Sequence, residues 1–173
     1  MGKDIYGAVV PSWLQMLGAL ADIMDKAAAF CDDNGIDQEE MLGRKLAEDM
    51  LPLGYQVKST WVHSVGAIEG VRAGTFSPDT SPTPTSFAEA KSKLLAARDA
   101  IAAVDPAELN GLVGRDMVFA FGQFRREFLV EGFLQTFSLP NFFFHVTTAY
   151  GLLRAAGVPI GKRDYMGQVQ TKA

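Results

Sequence analysis

Apolar residues recur at Trp13, Met16, Leu17, Leu20, Ile23, Met24, Ala27 and Phe30, with Gln15, Asp22 and Asp25 off that stripe. This spacing predicts a first amphipathic helix. Pro11 suits its first turn, or a kink within a slightly earlier start, and Gly35 supplies a left-handed stop. Asp37 followed by Glu40 forms a capping box for a short connecting helix ending near Gly43. Asp49 is the candidate cap of a second long helix reaching to about Arg72, with Pro52 tolerated in its first turn. Ser86 with Glu89 caps a third, which runs through Val104 until Asp105-Pro106 ends it. The fourth segment, Glu131 to Gly157, carries no Asp, Glu, Lys or Arg between Gly132 and Leu153. A helix there has no strongly solvated face and is expected to be enclosed by the others, with a kink or fresh start at Pro140.

Between these helices the pattern breaks twice. From Gly74 to Ser86 the prolines Pro78, Pro82 and Pro84 exclude a helix, so this stretch is read as a loop within one domain. Met117 to Phe121 and Phe124 to Phe128 flank Gly122-Gln123 and predict a small β-hairpin before the last helix. The tail after Gly157 is turn-rich and is expected to lie against the helices. No internal repeat is visible. The fold class is therefore mainly all-α: a single domain, residues 1–173, built as an up-down-up-down four-helix bundle with a short connecting helix and a hairpin.

Composition narrows the partners. A chain of 173 residues, 48% apolar and 21% charged, suits one soluble domain with a substantial core. A net charge of −4 and no Lys/Arg-rich run argue against nucleic acid and against anionic membrane surfaces. Asp22 and Asp25 interrupt the early apolar stretch, so neither a signal peptide nor a membrane span is expected. The single cysteine, Cys31, reads as a packed thiol in a reducing cytoplasm.

The second helix has only Lys58 as a charge between Leu51 and Ile68, so it too is expected to be buried. Val57, Trp61, Val65 and Ile68 form its apolar stripe, while Gln56, Ser59, Thr60, His63 and Ala67 form a small, polar, neutral one, with Lys58 well away from His63. Such a stripe suits the wall of a wet cavity, and interhelical hydrogen bonding produces the same pattern. The chain has two histidines, His63 and His145, and each falls on a charge-poor helix, with Asn141 one turn before His145. Imidazoles projecting inward from facing helices suit zinc, nickel, iron or copper, which makes His63, His145 and Asn141 the candidate metal ligands, with Gln56, Thr60 and Thr148 lining the pocket. This set is one good ligand short of an ordinary catalytic zinc site. The competing reading gives each imidazole a carbonyl or a hydroxyl such as Thr60 or Thr148, and gives Asn141 the backbone disrupted by Pro140. Phe133, Phe137, Phe142, Phe143 and Phe144 are read as core rather than as a ligand cage. If His63 and His145 share one ion, their ring nitrogens should stand about 3 to 3.5 Å apart, since each zinc bond is roughly 2.0 to 2.1 Å, and with a water between them on the order of 5 to 6 Å, the span of two ordinary hydrogen bonds.

The runs Val10 to Leu17, Leu46 to Leu53, Leu139 to Tyr150 and Gly157 to Asp164 together resemble an uncharacterised bacterial family, the domain-of-unknown-function family numbered nineteen ninety-three. That family is similar to the DinB-like and YfiT-like bundles. The resemblance implies a four-helix bundle, often dimeric, with a metal held by one His of the second helix and a His-x-x-x-His pair of the last. His63 matches the first and His145 the later member of the pair, while Asn141 stands at the earlier member's position. The implied site is thus degenerate. A divalent transition metal, zinc or nickel, is the candidate cofactor, with none expected to bind tightly. The function expected is metal- or thiol-dependent small-molecule chemistry in a polar inter-helix pocket. The alternative is a non-catalytic binding or dimeric interaction protein that has lost the metal site. No catalytic residue can be named from the sequence, and a homodimer is the expected assembly.

Overall fold

The computed structural model describes residues 4–172. Helix α1 (Ile5–Asn34) begins eight residues before the apolar stripe starts, because Asp4 caps it by accepting from the Gly7 N–H at 2.9 Å. Pro11 lies inside it, and Gly35 closes it in the left-handed conformation at φ 63°. The short α2 (Gln38–Leu42) follows, with Asp37 accepting from the Glu40 N–H. The second helix does not start at Asp49. Pro52 occupies the cap position of α3 (Leu53–Val62), which stops at His63 before the chain resumes as α4 (Val65–Ala73). Ser86 caps α5 (Phe87–Ala102) by accepting from the Glu89 N–H at 3.1 Å, while the Glu89 carboxylate reaches back to Thr85 rather than to Ser86. Asp105 then caps α6 (Pro106–Asn110).

The predicted hairpin forms as β2 (Asp116–Phe121) and β3 (Phe124–Leu129), with Phe121 opposite Phe124 and Gly122 at φ 57° in the two-residue turn. A third strand was not legible in the sequence: β1 (Thr75–Phe76) pairs in parallel with Val118 and Phe119 of β2. A parallel pair needs a long connection, which α5 and α6 supply. Gly70 makes room for this small sheet. A Cβ there would stand 3.1 Å from the Phe76 side chain, so only glycine lets β1 pack this closely on α4.

The fourth helical segment comprises α7 (Val130–Gly132), a π-helical turn (Phe133–Ser138) and α8 (Leu139–Ala155). Pro140 cannot donate to the preceding turn, and the wider register just before it absorbs the missing bond. The tail carries α9 (Lys162–Met166), which lies on α1 through the Lys26–Asp164 pair and the Gln15 side chain donating to the Met166 carbonyl at 2.7 Å.

Residue pairs fix how the helices run. Lys91 meets Asp25 and Arg98 lies over Gly18, so α1 and α5 are antiparallel. Gln56 meets His145 and His63 meets Ser138, so α3 and α8 are antiparallel too. Trp13 packs on Phe142, and Phe30 lies over Gly157, so α1 and α8 run the same way. The second and third helices are therefore parallel, with Gly54 beside Thr83 and Pro84 at one end and Arg72 paired with Glu108 at the other. The bundle runs up-down-down-up, which corrects the up-down-up-down expectation. The physical reason is the proline-rich stretch after Gly74, which is long enough to return along the bundle instead of turning straight back.

Helix α1 is long and apolar enough to cross a membrane by length and composition, but 56% of its apolar window is buried inside the fold, the pattern of a core helix. Its buried face, from Ile5 through Trp13, Leu17, Leu20 and Met24 to Cys31, meets Phe87, Leu94 and Ile101 of α5 and Phe142 and Val146 of α8 in one continuous core.

Candidate functional site

Helices α3 and α8 face each other across a cavity of about 310 Å³ that the sheet and the stretch after β1 close off. His63 closes α3: its N–H still donates to the Ser59 carbonyl at 2.9 Å, and at φ −88° and ψ 12° the chain leaves the helix after it. His63 and Lys58 both line the cavity, which corrects the expected separation of the two. His145 and Asn141 enter from α8, one turn apart.

The two imidazoles lie side by side, with ring centroids 5.7 Å apart and planes inclined by 18°. Each is held by its Nδ1 edge. Gln56 donates its amide N–H to the Leu51 carbonyl at 2.8 Å, which turns its Oε1 toward His145 Nδ1, also at 2.8 Å. An amide oxygen only accepts, so His145 carries its proton on Nδ1. Ser138 works the same way on His63. Its hydroxyl donates to the His63 carbonyl at 2.9 Å, leaving only a lone pair for His63 Nδ1 at 3.4 Å. Both rings are thereby set as Nδ1–H tautomers with an unprotonated Nε2. Neither Gln56 nor Ser138 lines the cavity, so the Nε2 edges are what the rings offer it.

Burial keeps both rings neutral. Desolvation, with the neighbouring His145 adding to it, pushes His63 down to about 3. Desolvation alone takes His145 to about 4. Aromatic side chains supply much of that dry environment: Phe76 and Phe137 stand 5.5 and 5.8 Å from the His63 ring, and Tyr55 and Phe144 meet His145 edge-on.

The remaining sequence candidates sit as follows. Asn141 lines the cavity, and its Nδ2 donates to the Phe137 carbonyl at 2.7 Å, where the π turn has disturbed the backbone ladder. Gln56 acts through His145. Thr60 and Thr148 turn back onto their own helices, donating to the Val57 and Phe144 carbonyls at 2.7 Å each. Among the described residues no group of three His, Cys, Asp or Glu side chains stands close enough to hold a metal ion. Phe133 and Phe142 are buried core, Phe137 lines the cavity, and Phe144 is 53% exposed, outside the core reading given to it.

Sequence reasoning missed Ser138, Asp79 and the role of Lys58. The signal for Lys58 was present, since a lone charge on a buried helix must find partners. It has them in the Asp79 carbonyl at 2.9 Å, the Ser81 carbonyl and the Asp79 carboxylate at 3.3 Å. Nothing around Ser138 distinguishes it from any serine near a helix break.

Residues 5–166 match the model of the family described as Domain of unknown function (DUF1993), and the chain belongs to that family. It is similar in fold to a DinB family member protein from Shewanella denitrificans of known crystal structure: 28% identical, TM-score 0.79, over 97% of this chain and 94% of that one. Among proteins of curated function none matches.

Proposed function

We propose that this protein binds a small molecule in the cavity between α3, α8 and the sheet, with His63 and His145 as the paired groups that hold it, together with a weakly held divalent transition metal. The observation that carries this reading is the matched preparation of the two rings. Each has its Nδ1 edge fixed by a neighbour outside the cavity and its Nε2 lone pair left for a ligand. Such outer partners are what orient metal-binding imidazoles elsewhere.

The donor set fits a metal in part. Two imidazoles bound to one zinc at about 2.0 to 2.1 Å put their ring centres on the order of 5 to 6 Å apart, and the observed 5.7 Å lies in that range. Asn141 can add an amide oxygen. A site of two neutral nitrogens and one amide falls short of the three His or carboxylate ligands of a catalytic zinc, so zinc or nickel is held weakly and exchanges. When bound, such an ion acidifies a water or polarises a substrate. The chain's own contribution is to keep both imidazoles unprotonated near neutral pH and to exclude bulk water with Phe76, Phe119 and Phe137.

Calorimetric titration of tag-free protein with zinc and with nickel tests this. We expect dissociation constants of about 1 μM or weaker, well short of the roughly 10 to 16 kcal/mol of structural zinc sites. His145→Ala should abolish binding and Gln56→Leu should weaken it about tenfold or more. Binding of either ion that survives loss of both imidazoles overturns the metal reading.

The second reading, a metal-free binding or interaction protein, draws support from apolar side chains near the cavity. Leu51 lines it and is half exposed, and the exposed Phe144 ring packs against His145. A homodimer, with neither nucleic acid nor membrane as partner, belongs to both readings, and light scattering that gives a concentration-independent monomer mass removes it. The buried free thiol of Cys31 supports the cytoplasm as the compartment.

A further inference from the structure

The cavity contains a charge that neither imidazole accounts for. Lys58 lines it and is only 2% exposed. Two of its ammonium protons go to the Asp79 and Ser81 carbonyls, groups the chain itself holds in place. The third contact is different. The Asp79 carboxylate lies 3.3 Å away, longer than the roughly 2.7 to 2.9 Å of a good charge-assisted bond. Its side chain is 36% exposed, and the same Oδ1 also accepts from the Ser81 N–H at 2.7 Å. The buried cation is thus met by a partly exposed anion that Ser81 also holds.

We infer that the cavity takes a small carboxylate with an apolar, ring-sized body, and that this carboxylate replaces the Asp79 carboxylate on Lys58 Nζ. The inference rests on reading the cavity as a small-molecule site. Charge selects the class: a buried ammonium pairs with an anion, and a carboxylate is the group that can take the place of the Asp79 carboxylate on it. Displacement costs Asp79 its Lys58 contact and leaves its bond from the Ser81 N–H in place, and the two carbonyl contacts keep Lys58 in position meanwhile. Size and surface select the body. About 310 Å³ is at the small end for ligand pockets, and Phe76, Phe119 and Phe137 give it aromatic walls.

Benzoate, benzamide and benzylamine, titrated separately into the full-length protein and followed by the NMR signals of the two histidine rings, test this. Benzoate is expected to bind and benzylamine to leave the rings unperturbed. Asp79→Asn keeps an acceptor for the Ser81 N–H but removes the competing charge, and should bind benzoate about two- to fivefold tighter, the span of a partly exposed ion pair. Lys58→Met should weaken benzoate about thirtyfold or more. Because that variant also frees the stretch around Asp79, the gain in Asp79→Asn is the decisive reading, since structural damage does not tighten binding. Benzylamine binding as well as benzoate, or an Asp79→Asn affinity equal to or weaker than that of the parent, overturns the inference. Benzamide binding while benzoate stays silent overturns the carboxylate class and leaves the small-molecule cavity standing. Silence of all three overturns both.

Discussion

The bundle has two faces made from the same material and built to different ends. On one, α1 and α5 are unbroken, the buried part of their contact is apolar, and charges such as the Lys91–Asp25 pair bridge them from the outside. On the other, α3 stops at His63 and its partner passes through a π turn that ends at Ser138. These two interruptions meet: the Ser138 hydroxyl donates to the carbonyl of His63. The π turn therefore satisfies the backbone where α3 stops, Asn141 satisfies the π turn's own Phe137 carbonyl, and polar side chains can face inward without leaving these buried groups unpaired. The regular side supplies stability, and the interrupted side holds the cavity.

The sharpest way to break that division is to damage the regular side and look for an effect on the other. Leu94→Ala, at a fully buried position on α5, should cost about 2 to 5 kcal/mol in denaturant unfolding and leave zinc affinity unchanged. A matching loss of zinc affinity in folded protein would mean the two sides are not separable.

The next effect comes from pH. Both histidines have folded values below 6.5, so the unfolded chain binds more protons as pH falls. Their contribution is present above about 6.5 and is lost as pH drops toward 4 and 3, at up to roughly 1.4 kcal/mol per pH unit for each ring. Unfolding free energies measured between pH 7 and 5 should fall in the parent and fall less in His145→Gln. Equal slopes would contradict the burial assigned to that ring.

Smaller still is Ser138→Ala, which leaves the His63 carbonyl without its donor and should cost about 1 to 3 kcal/mol. It should also release the His63 tautomer, visible in the ring nitrogen shifts, whereas Thr148→Ala, whose hydroxyl bonds only its own helix, should not. Last comes the outer surface of the regular side: Lys91→Ala removes a partly exposed pair and should change stability by no more than about 1 kcal/mol, less in high salt.

The same division explains what the sequence made legible. Helix ends set by local chemistry, such as Asp37 with Glu40, Ser86 with Glu89, and Gly35, fall where capping rules put them, because those bonds span three or four residues. The regular stripe from Trp13 to Phe30 identified α1 but not its start, since Asp4 sits beyond Pro11 and the proline drew the boundary inward. The break at His63-Ser64 carries no Gly or Pro and is fixed by Ser138, 75 residues away in sequence. The pairing of the two histidines was readable from one stripe on each helix, whereas the partners of Lys58, Asp79 and Ser81, lie in the proline-rich stretch and were not. The direction of the third helix was equally hidden, because loop composition at 74–86 excludes a helix without saying where the chain goes.

The parallel arrangement of the second and third helices has a consequence for how the chain is made. Helix α1 finds its partners in α5, more than 50 residues later, and in α8, more than 100 residues later. At a synthesis rate of roughly 5 to 20 residues per second, several seconds pass between the emergence of α1 and that of α5. Until α5 follows, a 30-residue helix with a wide apolar face has neither of these two partners to cover it. Nascent chains stalled before Phe87 should therefore bind a general chaperone through α1, and chains released after Ala155 should not.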